Sequence, residues 1–466
     1  MVYHHLLQNK PVVNAAVIGA GHFGTAVVTQ QSSQKGLLVP MVADKNTDAA
    51  KSAFVKAGIP EDKIVFCNNA AAAQLEIERG NYVYTNDAEI IMDVPAINIV
   101  CEGTGIPEIG AHYCMLAIEK GKHIALVSKE LDSVIGPLLK EKACAKGLVC
   151  TPIDGDQHGL LMQMVEWARL IGLTVISGGK ARDGEFILDE TKRTVSVEAD
   201  GVTIHRDYCV TIPEEGMKYF EKIPQGRGMA AEYIAKRMEY LRDMPHAGMF
   251  DLCELTIMAN ATGLAPSIPE TTQAPLRITE LPIAYCAENN NGVYKHEGII
   301  DVTTNLRRYD EAGMGGGVFL VVRCDNAYSN YILTTKGQIP NYDSSTAVIY
   351  RPYHLCGVEV ATSLQCAVNL GIDTGSVEYK QQFDLIRVAK VDIPAGETLG
   401  GDHDERMFAR IVPATAMKPE NPIPAHMATG NALVRTIKAG EVITYSMVQR
   451  PENSLLWALR KEMNIL

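Results

Sequence analysis

The sequence has 466 residues, too many for one simple hydrophobic core and enough for two or three domains. Hydrophobic residues make up 47% and charged residues 21%, which is ordinary for a globular protein. The formal net charge of −12 provides no basic surface for a phosphate backbone, so we expect no nucleic-acid partner. No run approaches the ~18 consecutive apolar residues of a membrane span, so we expect no membrane partner either.

Cysteine usage and the start of the chain bear on the compartment. Eleven cysteines are scattered singly between Cys67 and Cys366, without a CxxC pair or the spacing of a zinc site. This pattern favours reduced thiols over a disulfide framework. Residues 1–11 lack the basic end, long apolar stretch and cleavage site of a signal peptide. We therefore expect a cytoplasmic protein.

A strand, a glycine motif and a helix follow one another near the start of the chain. Residues 14–18 favour a buried strand, residues 19–24 spell GAGHFG, and residues 25–31 favour a helix. This is GxGxxG in the setting that a dinucleotide requires. We predict a Rossmann domain over residues 1–150 that binds NAD or NADP for hydride transfer.

Each glycine of the motif has its own task. Gly19 permits the tight turn, Gly21 lets the backbone approach a pyrophosphate, and Gly24 lets helix and strand pack closely. The N-terminus of the predicted helix supplies donors to the phosphates, and His22 and Phe23 of the motif lie just before it. We count all five residues as cofactor-binding candidates.

The end of the second predicted strand bears on the choice between NAD and NADP. That strand, residues 37–43, is followed by Asp44, about 20 residues beyond the glycines, where the dinucleotide fingerprint has an acid. A carboxylate there can accept hydrogen bonds from both ribose hydroxyls and would repel a 2′-phosphate. The neighbouring Lys45 could reach such a phosphate, so both cofactors stay open.

Two later strands should also end beside the cofactor, because loops at the carboxyl edge of a doubly wound sheet face it. Residues 96–100 favour a strand that leads into a small-residue turn, and residues 123–127 favour the next strand. The cofactor-binding candidates at these two strand ends are Gly103, Thr104, Gly105 and Ser128.

The second of these strands also delivers Lys129, Glu130 and Asp132 to the same edge. Two acids and a lysine where the nicotinamide should lie are our catalytic candidates in this half of the chain. A solvated loop with a capping aspartate is the alternative interpretation.

Several segments resemble one group of enzymes. The string KGKHIALVSKELD is similar to the homoserine dehydrogenase pattern, and Lys129 falls on the lysine that follows the strand. The chain more closely resembles homoserine-dehydrogenase-like oxidoreductases with a C-terminal SAF domain, a group that includes 1-deoxy-D-xylulose 5-phosphate reductoisomerase-like enzymes. The resemblance covers most of the chain and rests on the strings LLQNKP, AAVIGAGHFGT, ELDSVIGPLL, DGDQHGLLMQMVEWARLIGLTVISGGK, ANATGL, GGGVFLVVR and YRPYHLCGVE.

The chain departs from this group at two places. Members carry an NVEAD-like string where this chain has SKELD, so Glu130 and Asp132 are kept and Lys129 is a homoserine-dehydrogenase-like feature. Members also carry a DGTK-like string before Glu254, where residues 247–250 are AGMF. The lost acid and lysine weaken the transfer of any one member's substrate.

The predicted central domain, residues 151–380, begins with the polar loop DGDQH ahead of a helix at residues 160–171. Two carboxylates, an amide and an imidazole can hold a divalent cation or hydroxyl groups, whereas a capping loop explains only one aspartate. Asp156 is therefore a catalytic candidate. The candidate ligands for Mn or Mg are Glu130, Asp132, Asp154 and Asp156.

Two further segments of this domain carry charged residues, of which Lys180 is a catalytic candidate. Lys180 follows a predicted strand at residues 174–177 and a predicted glycine turn. It could anchor a phosphate or carboxylate, protonate the oxygen formed on hydride arrival, or simply be exposed. Residues 250–261 favour a helix that brings Asp251 and Glu254 onto one face by i, i+3 spacing.

The end of the central domain is predicted to return to the Rossmann sheet. A glycine turn at residues 314–317 leads into a buried strand at residues 318–323. Residues 350–355 favour the start of a helix that continues through Leu364, with His354 either catalytic or, more commonly for such a position, structural. The resemblance implies that part of this segment packs back on the first sheet.

The last predicted domain, residues 381–466, contains two similar segments at residues 391–399 and 435–443. Each has an Ala-Gly-Glu turn and favours a short hairpin. The resemblance implies an SAF-like domain, which we interpret as a scaffold or a homo-oligomer contact. The predicted fold class is therefore α/β, with an N-terminal doubly wound Rossmann sheet, an α+β central catalytic domain and a small β-rich C-terminal domain.

Three functions follow. The leading one is an NAD(P)-dependent oxidoreductase that reduces a small phosphorylated or carboxylated polyol such as 1-deoxy-D-xylulose 5-phosphate, with or without metal-assisted isomerisation. Lys129 and Lys180 would stabilise the oxyanion. The first alternative is a homoserine-type dehydrogenase with Lys129 as acid/base and no metal. The second is a dinucleotide-sensing protein without turnover.

Overall fold

The computed structural model describes residues 3–199 and 204–465. Among these residues, the first sheet has seven strands, all parallel, in the order β3-β4-β2-β1-β5-β6-β7. Because the strand order reverses between β1 and β5, a crevice opens at their carboxyl ends. The strands are β1 (Val13–Ile18), β2 (Leu37–Ala43), β3 (Ile64–Phe66), β4 (Tyr82–Thr85), β5 (Ile99–Glu102), β6 (His123–Leu126) and β7 (Cys150–Pro152).

Helices cover both faces of this sheet. Alternate residues of β1 belong to two hydrophobic cores, Ala16 and Ile18 to one and Ala15 and Val17 to the other. A parallel sheet buried on both faces requires apolar residues on both, which is why its strands form continuous apolar runs. The helices are α1 (Tyr3–Leu7), α2 (His22–Gln30), α3 (Thr47–Lys56), α4 (Ala70–Glu78), α5 (Glu89–Met92), α6 (Pro107–Glu119) and α7 (Lys129–Ala145).

A second, mixed sheet forms the middle of the molecule. Its strands are β8 (Thr174–Ala181), β9 (Phe186–Asp189), β10 (Thr194–Val197), β11 (Tyr208–Thr211), β12 (Ala265–Pro266), β13 (Ala274–Leu276), β14 (Ile299–Arg308), β15 (Val318–Arg323), β16 (Ile339–Pro340) and β17 (Ala347–Arg351). The main order is β11-β10-β9-β14-β8-β15-β17-β16, and β12 and β13 pair with β14. Its accompanying helices are α8 (Gln157–Leu170), α9 (Met229–Tyr240), α10 (Met249–Thr262), α11 (Leu281–Ala284) and α12 (Ala327–Thr335).

The rest of the chain connects the two sheets and adds a small β unit. Helix α13 (Ala361–Leu370) buries Leu364 and Ala367 in the same core as Val13 of the first sheet. Strands β18 (Phe383–Ala389) and β19 (Met407–Pro413) then pair antiparallel, and helices α14 (Ala425–Ala428) and α15 (Leu455–Glu462) follow. These three parts confirm the predicted fold class.

The two predicted C-terminal hairpins are wrong. The two similar segments pair with each other, because Ile393 N donates to Ile437 O at 2.8 Å and Ile437 N donates to Ile393 O at 2.9 Å. Gly396 and Gly440 occupy their turns with φ values of 84° and 88°. The turns were therefore recognisable from the sequence, whereas the pairing between segments 44 positions apart was not.

Two predicted local structures of the central domain are also wrong. Gly178 and Gly179 lie inside β8 and not in a turn. A Cβ at Gly179 would come within 1.7 Å of the Asp301 carbonyl oxygen on the adjacent β14. Close backbone approach, and not a turn, requires glycine there. Residues 347–351 form β17, and the helix begins only at Ala361, because Pro352 restricts the residue before it to extended backbone.

No helix in the described part of the chain is long and apolar enough to cross a membrane.

Candidate active site

The glycine turn between β1 and α2 has the geometry that a dinucleotide needs. Gly19 has φ of +96°, and a Cβ there would lie 2.3 Å from the carbonyl oxygen of Gly103 on the neighbouring strand end. A Cβ at Gly24 would lie 2.0 Å from Gly19 O. At Gly21, by contrast, a Cβ would meet no described atom within 4 Å, so this backbone is open. The helix start at His22 and Phe23 follows directly, with backbone donors for an anion.

These contacts predict opposite effects for two alanine substitutions. Gly24→Ala should lower the free energy of unfolding by about 1–3 kcal/mol, because the new methyl group overlaps Gly19 O. Gly21→Ala should leave the midpoint of thermal unfolding unchanged and weaken NADH binding about tenfold, which is about 1.4 kcal/mol. Thermal denaturation and NADH fluorescence titration test both. Equal midpoints of thermal unfolding and equal NADH affinities in the two variants would contradict these separate roles of Gly21 and Gly24.

Asp44 is tied to the glycine turn. Its carboxylate accepts hydrogen bonds from Ala20 N at 2.7 Å and from Asn46 N at 2.8 Å, one on each oxygen. A carboxylate retains acceptor positions beyond these two, so Asp44 can also accept from a ribose. Lys45 beside it is exposed. Both residues line a cleft of about 180 Å³ that also includes Gly19, Thr104, Ile106 and Tyr113.

The small-residue turn after β5 forms the opposite side of this crevice. The buried Glu102 accepts hydrogen bonds from the backbone and hydroxyl of Thr104 at 2.9 and 2.6 Å. Burial raises the pKa of the Glu102 carboxyl, and the hydrogen bonds from Thr104 oppose that shift. Gly105 N donates to Ser128 Oγ at 2.9 Å, which ties this turn to the start of α7. The turn residues, including Gly103, therefore lie at the crevice.

Lys129 and Lys180 converge on one carboxylate. Lys129, the first residue of α7, places Nζ 2.5 Å from Glu254 Oε1. Lys180 in β8 donates to Glu254 Oε2, and its Nζ lies 2.9 Å from Asp251 Oδ1. Helix α7, strand β8 and helix α10 thus build this lysine cluster, which we define as Lys129, Lys180, Asp251 and Glu254.

The two lysines differ in exposure. The Lys129 side chain is 24% exposed, whereas that of Lys180 is 1% exposed. Glu254 is the one hydrogen-bond partner of Lys129 Nζ among the described residues, so two N–H groups are left for a ligand. Lys129 is therefore the member of the cluster that a substrate can reach, and Lys180 lies beneath it.

The cluster keeps its charges because they are paired. Burial alone would lower the pKa of Lys129, but the carboxylates of Glu254 and Asp156 raise it well above its usual range. Burial likewise opposes the charged form of Lys180, and Asp251 and Glu254 nevertheless raise its pKa. Burial would raise the pKa of Glu254, yet the two lysines hold it well below its usual range.

An aromatic ring covers the cluster. The ring centroid of Phe250 lies 5.3 Å from Lys129 Nζ and 5.9 Å from Lys180 Nζ. A ring at this distance attracts the ammonium groups through its π face. Phe250 lies in the first turn of α10 with Asp251, whose other carboxylate oxygen accepts from Gly248 N at 2.8 Å and caps the helix.

The four candidate metal ligands do not come together. Asp132 accepts from Tyr379 Oη at 2.7 Å, and Asp154 accepts from Gln163. Asp156 caps α8 through Gln157 N at 2.8 Å, while Glu130 lies in the first turn of α7. Within residues 3–199 and 204–465, no group of three or more His, Cys, Asp or Glu side chains is arranged to hold a metal ion. The structure therefore gives no support to the predicted shared site for Mn or Mg.

Burial shifts the pKa values of three of these four acids. It raises the pKa of Glu130 and of Asp132, and it raises that of Asp154 to about 6 despite hydrogen bonds from Thr374 and Ser363. Residues 129–132 form the first turn of α7, and not the solvated loop of the alternative interpretation, and acids there interact favourably with the helix dipole.

Two residues outside the cluster also lie at the site. Burial raises the pKa of Asp183, with Lys180 and His354 opposing the shift. His354 Nδ1 donates to Gly316 O at 2.6 Å and so supports the glycine turn before β15. This contact gives His354 a structural role.

Sequence reasoning did not include Asp251, Glu254 or Phe250 among the candidates. The i, i+3 spacing placed the two acids on one face of a helix, but the signal that they face Lys129 and Lys180 is three-dimensional. An aromatic residue directly before two acids at a helix start was the available indication.

Comparison with known proteins supports a redox enzyme. Residues 247–360 match the model of the catalytic domain of oxidoreductase DRL. This segment contains Phe250, Asp251 and Glu254 of the site, as well as His354. The sequence has no significant match among curated proteins.

Solved structures of oxidoreductases align with part of the chain. An NAD-binding oxidoreductase from Klebsiella pneumoniae is 15% identical over 37% of this chain and 43% of its own, with a TM-score of 0.27. A levoglucosan dehydrogenase in complex with NADH and L-sorbose is 17% identical over 37% and 44%, with a TM-score of 0.27. A myo-inositol dehydrogenase from Lactobacillus casei in complex with NAD(H) and myo-inositol is 19% identical over 37% and 46%, also at 0.27. In each case the aligned part of this chain spans less than half the length of the known structure.

The first sheet and its glycine turn have the form of a dinucleotide-binding Rossmann domain, and residues 247–360 match an oxidoreductase catalytic domain. This match agrees with the predicted class of enzyme, an oxidoreductase. Its catalytic segment is similar to that of oxidoreductase DRL.

Proposed function

We propose that this oxidoreductase interconverts a hydroxyl and a carbonyl group on a small, uncharged polyhydroxylated molecule, with Lys129 as the proton donor and acceptor. The observation that carries the proposal is the asymmetry of the lysine cluster. Lys129 is partly exposed with two N–H groups left, and Lys180 is buried beneath the shared Glu254.

The residues divide the reaction between them. The nicotinamide, when bound at the glycine turn beside Asp44, supplies or accepts the hydride. Lys129 Nζ donates a hydrogen bond and then a proton to the substrate oxygen as the carbonyl is reduced, and it takes that proton back in the reverse direction. Glu254 holds Lys129 in the protonated form, and Lys180 fixes the Glu254 carboxylate from the opposite side.

The charge balance of the cluster favours an uncharged substrate. Lys129 and Lys180 are matched by Glu254 and Asp251, so the cluster offers no surplus positive charge to a phosphate. Asp156 and Asp183 add negative charge nearby, since both act electrostatically on the lysines. We therefore prefer a neutral polyol or sugar to the phosphorylated or carboxylated substrate that the sequence suggested.

The proposal does not extend to metal-assisted isomerisation, because the described residues contain no group of three or more His, Cys, Asp or Glu side chains arranged to hold the ion. It is closer to the homoserine-type alternative, in which Lys129 serves as acid and base without a metal. The SAF-like nature of the C-terminal unit, the homo-oligomer and the domain limits stay predictions.

The experiment is a turnover panel with purified protein. NAD and NADP reduction is followed by the absorbance of the reduced cofactor with uncharged tetritols, pentitols, inositols and aldoses, each beside its phosphorylated counterpart, with and without a chelator. We expect turnover of an uncharged compound that a chelator does not affect. Turnover confined to phosphorylated compounds, or lost on chelation, would contradict the proposal, and tight NADH binding without any turnover would favour the sensor.

Asp44 should make the enzyme prefer NADH to NADPH. Its carboxylate lies at the end of β2 and would repel a 2′-phosphate, so we expect a Kd at least about tenfold lower for NADH, which is about 1.4 kcal/mol. Asp44→Ser should reduce this ratio, whereas the exposed control Asp62→Ser should not change it. Fluorescence titration with both cofactors tests this, and a tighter NADPH complex in the unchanged protein would contradict it.

A further inference from the structure

A loop of the C-terminal unit reaches the lysine cluster. This loop, residues 400–404, places the ring of His403 6.5 Å from the ring of Phe250, centroid to centroid. Phe250 is the residue that covers Lys129 and Lys180. Asp402 of the same loop is electrostatically coupled to Lys129. The part of the chain interpreted from sequence as a scaffold therefore borders the candidate active site.

The fully buried Arg387 of β18 fixes this loop. Its guanidinium donates to Gly400 O at 2.5 Å and to Thr429 Oγ1 at 2.8 Å. Burial lowers the pKa of Arg387 to about 10, with Asp402 and Asp404 opposing the shift. Asp404 in turn accepts from Gly400 N at 2.9 Å. The loop is therefore held in one conformation at both ends.

Asp402 forms a buried pair with His426 of α14. His426 Nε2 lies 2.8 Å from Asp402 Oδ1, and the two side chains are 3% and 11% exposed. His426 Nδ1 lies 3.1 Å from Ser133 Oγ in the first turns of α7 and 3.9 Å from Cys253 Sγ in α10. One imidazole thus contacts both of the helices that carry the lysine cluster.

These two helices are also joined at the cluster itself. Cys253 Sγ donates to the carbonyl oxygen of Lys129 at 3.3 Å, and the next residue in α10 is Glu254. Ser133 lies one helical turn after Lys129 in α7. A shift of His426 would therefore move the starts of α7 and α10 relative to each other, and with them Lys129 Nζ relative to Glu254.

We propose that Asp402 and His426 are positioning residues of the active site, which set the approach of Lys129 to Glu254 from the C-terminal unit. The inference rests on the proposed role of Lys129. A buried pair of this kind must be desolvated, and well-packed apolar side chains often stabilise a fold equally well. Its contacts with both helices give the pair a task beyond stability.

Two substitutions of His426 separate its two contacts. In His426→Asn the side-chain amide can replace Nδ1 and keep the contact with Ser133, whereas in His426→Gln it can replace Nε2 and keep the contact with Asp402. His426→Phe removes both. Asp392→Asn is the control, because Asp392 pairs with Lys438 on the surface of the same unit at 2.7 Å.

The first measurement does not need a substrate. Amide hydrogen exchange followed by mass spectrometry should be at least about tenfold faster in peptides covering residues 129–134 and 249–254 of His426→Phe than in the unchanged protein, with NADH affinity unchanged. Asp392→Asn should match the unchanged protein. Unchanged exchange in His426→Phe would overturn the proposal, whatever the turnover panel gives.

The second measurement uses a substrate from the panel. We expect kcat to fall at least about tenfold in His426→Phe with KM within about threefold, and His426→Asn to retain more kcat than His426→Gln. Faster exchange with unchanged kcat would reduce the pair to a structural contact and overturn its positioning role. If no compound turns over, the proposed function fails, and the exchange result alone decides this inference.

Discussion

Replacing Lys129 by methionine is expected to lower kcat by about 10²–10⁴-fold, the usual contribution of one general acid or base. Lys129 is the exposed member of the lysine cluster, with its Nζ 2.5 Å from Glu254, and methionine has similar length but no proton to give. NADH affinity should stay unchanged, because the glycine turn and Asp44 lie on other strand ends. Turnover is measured by the absorbance of the reduced cofactor on an active compound from the panel, and NADH binding by fluorescence.

Lys142→Met is a matched control for this prediction. Lys142 lies in the last turn of the same helix α7 and pairs with Glu462 at 2.5 Å, with 23% of its side chain exposed. It therefore resembles Lys129 in element, partner and exposure but lies away from the cluster. Full kcat in Lys129→Met, or an equal loss in Lys142→Met, would remove Lys129 from the proposed chemistry.

The parts of the fold that could be predicted from the sequence are those governed by short-range patterns. Strands at residues 37–43 and 318–323 have the predicted bounds, because a strand buried on both faces is a continuous apolar run with polar or glycine residues at its ends. The glycine turn was equally recognisable, since Gly19, Gly21 and Gly24 differ in what a Cβ would meet and their spacing encodes that difference.

The rest depends on contacts between distant segments. The sequence Gly178-Gly179 favours a turn when it is considered alone. The strand that excludes a side chain at Gly179 is β14, which lies more than a hundred residues later in the sequence. Local pattern could not distinguish close backbone approach from a turn. The same limit applies to the C-terminal segments, whose Ala-Gly-Glu turns predicted hairpins while Ile393 pairs with Ile437.

The candidate site shows the same division. Lys129 and Lys180 were selected because both are lysines near strand ends, but their common partner Glu254 comes from a helix that the sequence assigned no function. The grouping of Asp132, Asp154 and Asp156 as metal ligands assumed that nearby acids converge. Each of them instead has a separate partner, in Tyr379, Gln163 and the start of α8.

Glu254→Gln is expected to lower the free energy of unfolding by about 3–5 kcal/mol, the usual effect of removing one partner of a buried ion pair. Glu254 is 5% exposed and is the common acceptor of Lys129 and Lys180, so glutamine leaves two ammonium groups facing a neutral amide. Urea denaturation at pH 7 measures the loss. Glu462→Gln at the partly exposed pair with Lys142 should cost less than about 1 kcal/mol.

The pH dependence gives this prediction its second test. Because the two lysines lower the folded-state pKa of Glu254, its contribution is present above the unfolded carboxyl pKa of about 4.3 and is lost as pH falls towards the folded value. The difference between the unchanged protein and Glu254→Gln should therefore be constant from pH 5 to 8 and shrink below about pH 4. The double variant Glu254→Gln with Lys129→Met removes one charge of each sign, keeps the pair of Lys180 with Asp251 and should recover part of the loss. A single variant as stable as the unchanged protein at pH 7 would mean that the lysine cluster does not depend on this carboxylate, and Glu254 would then have no role in holding Lys129 protonated.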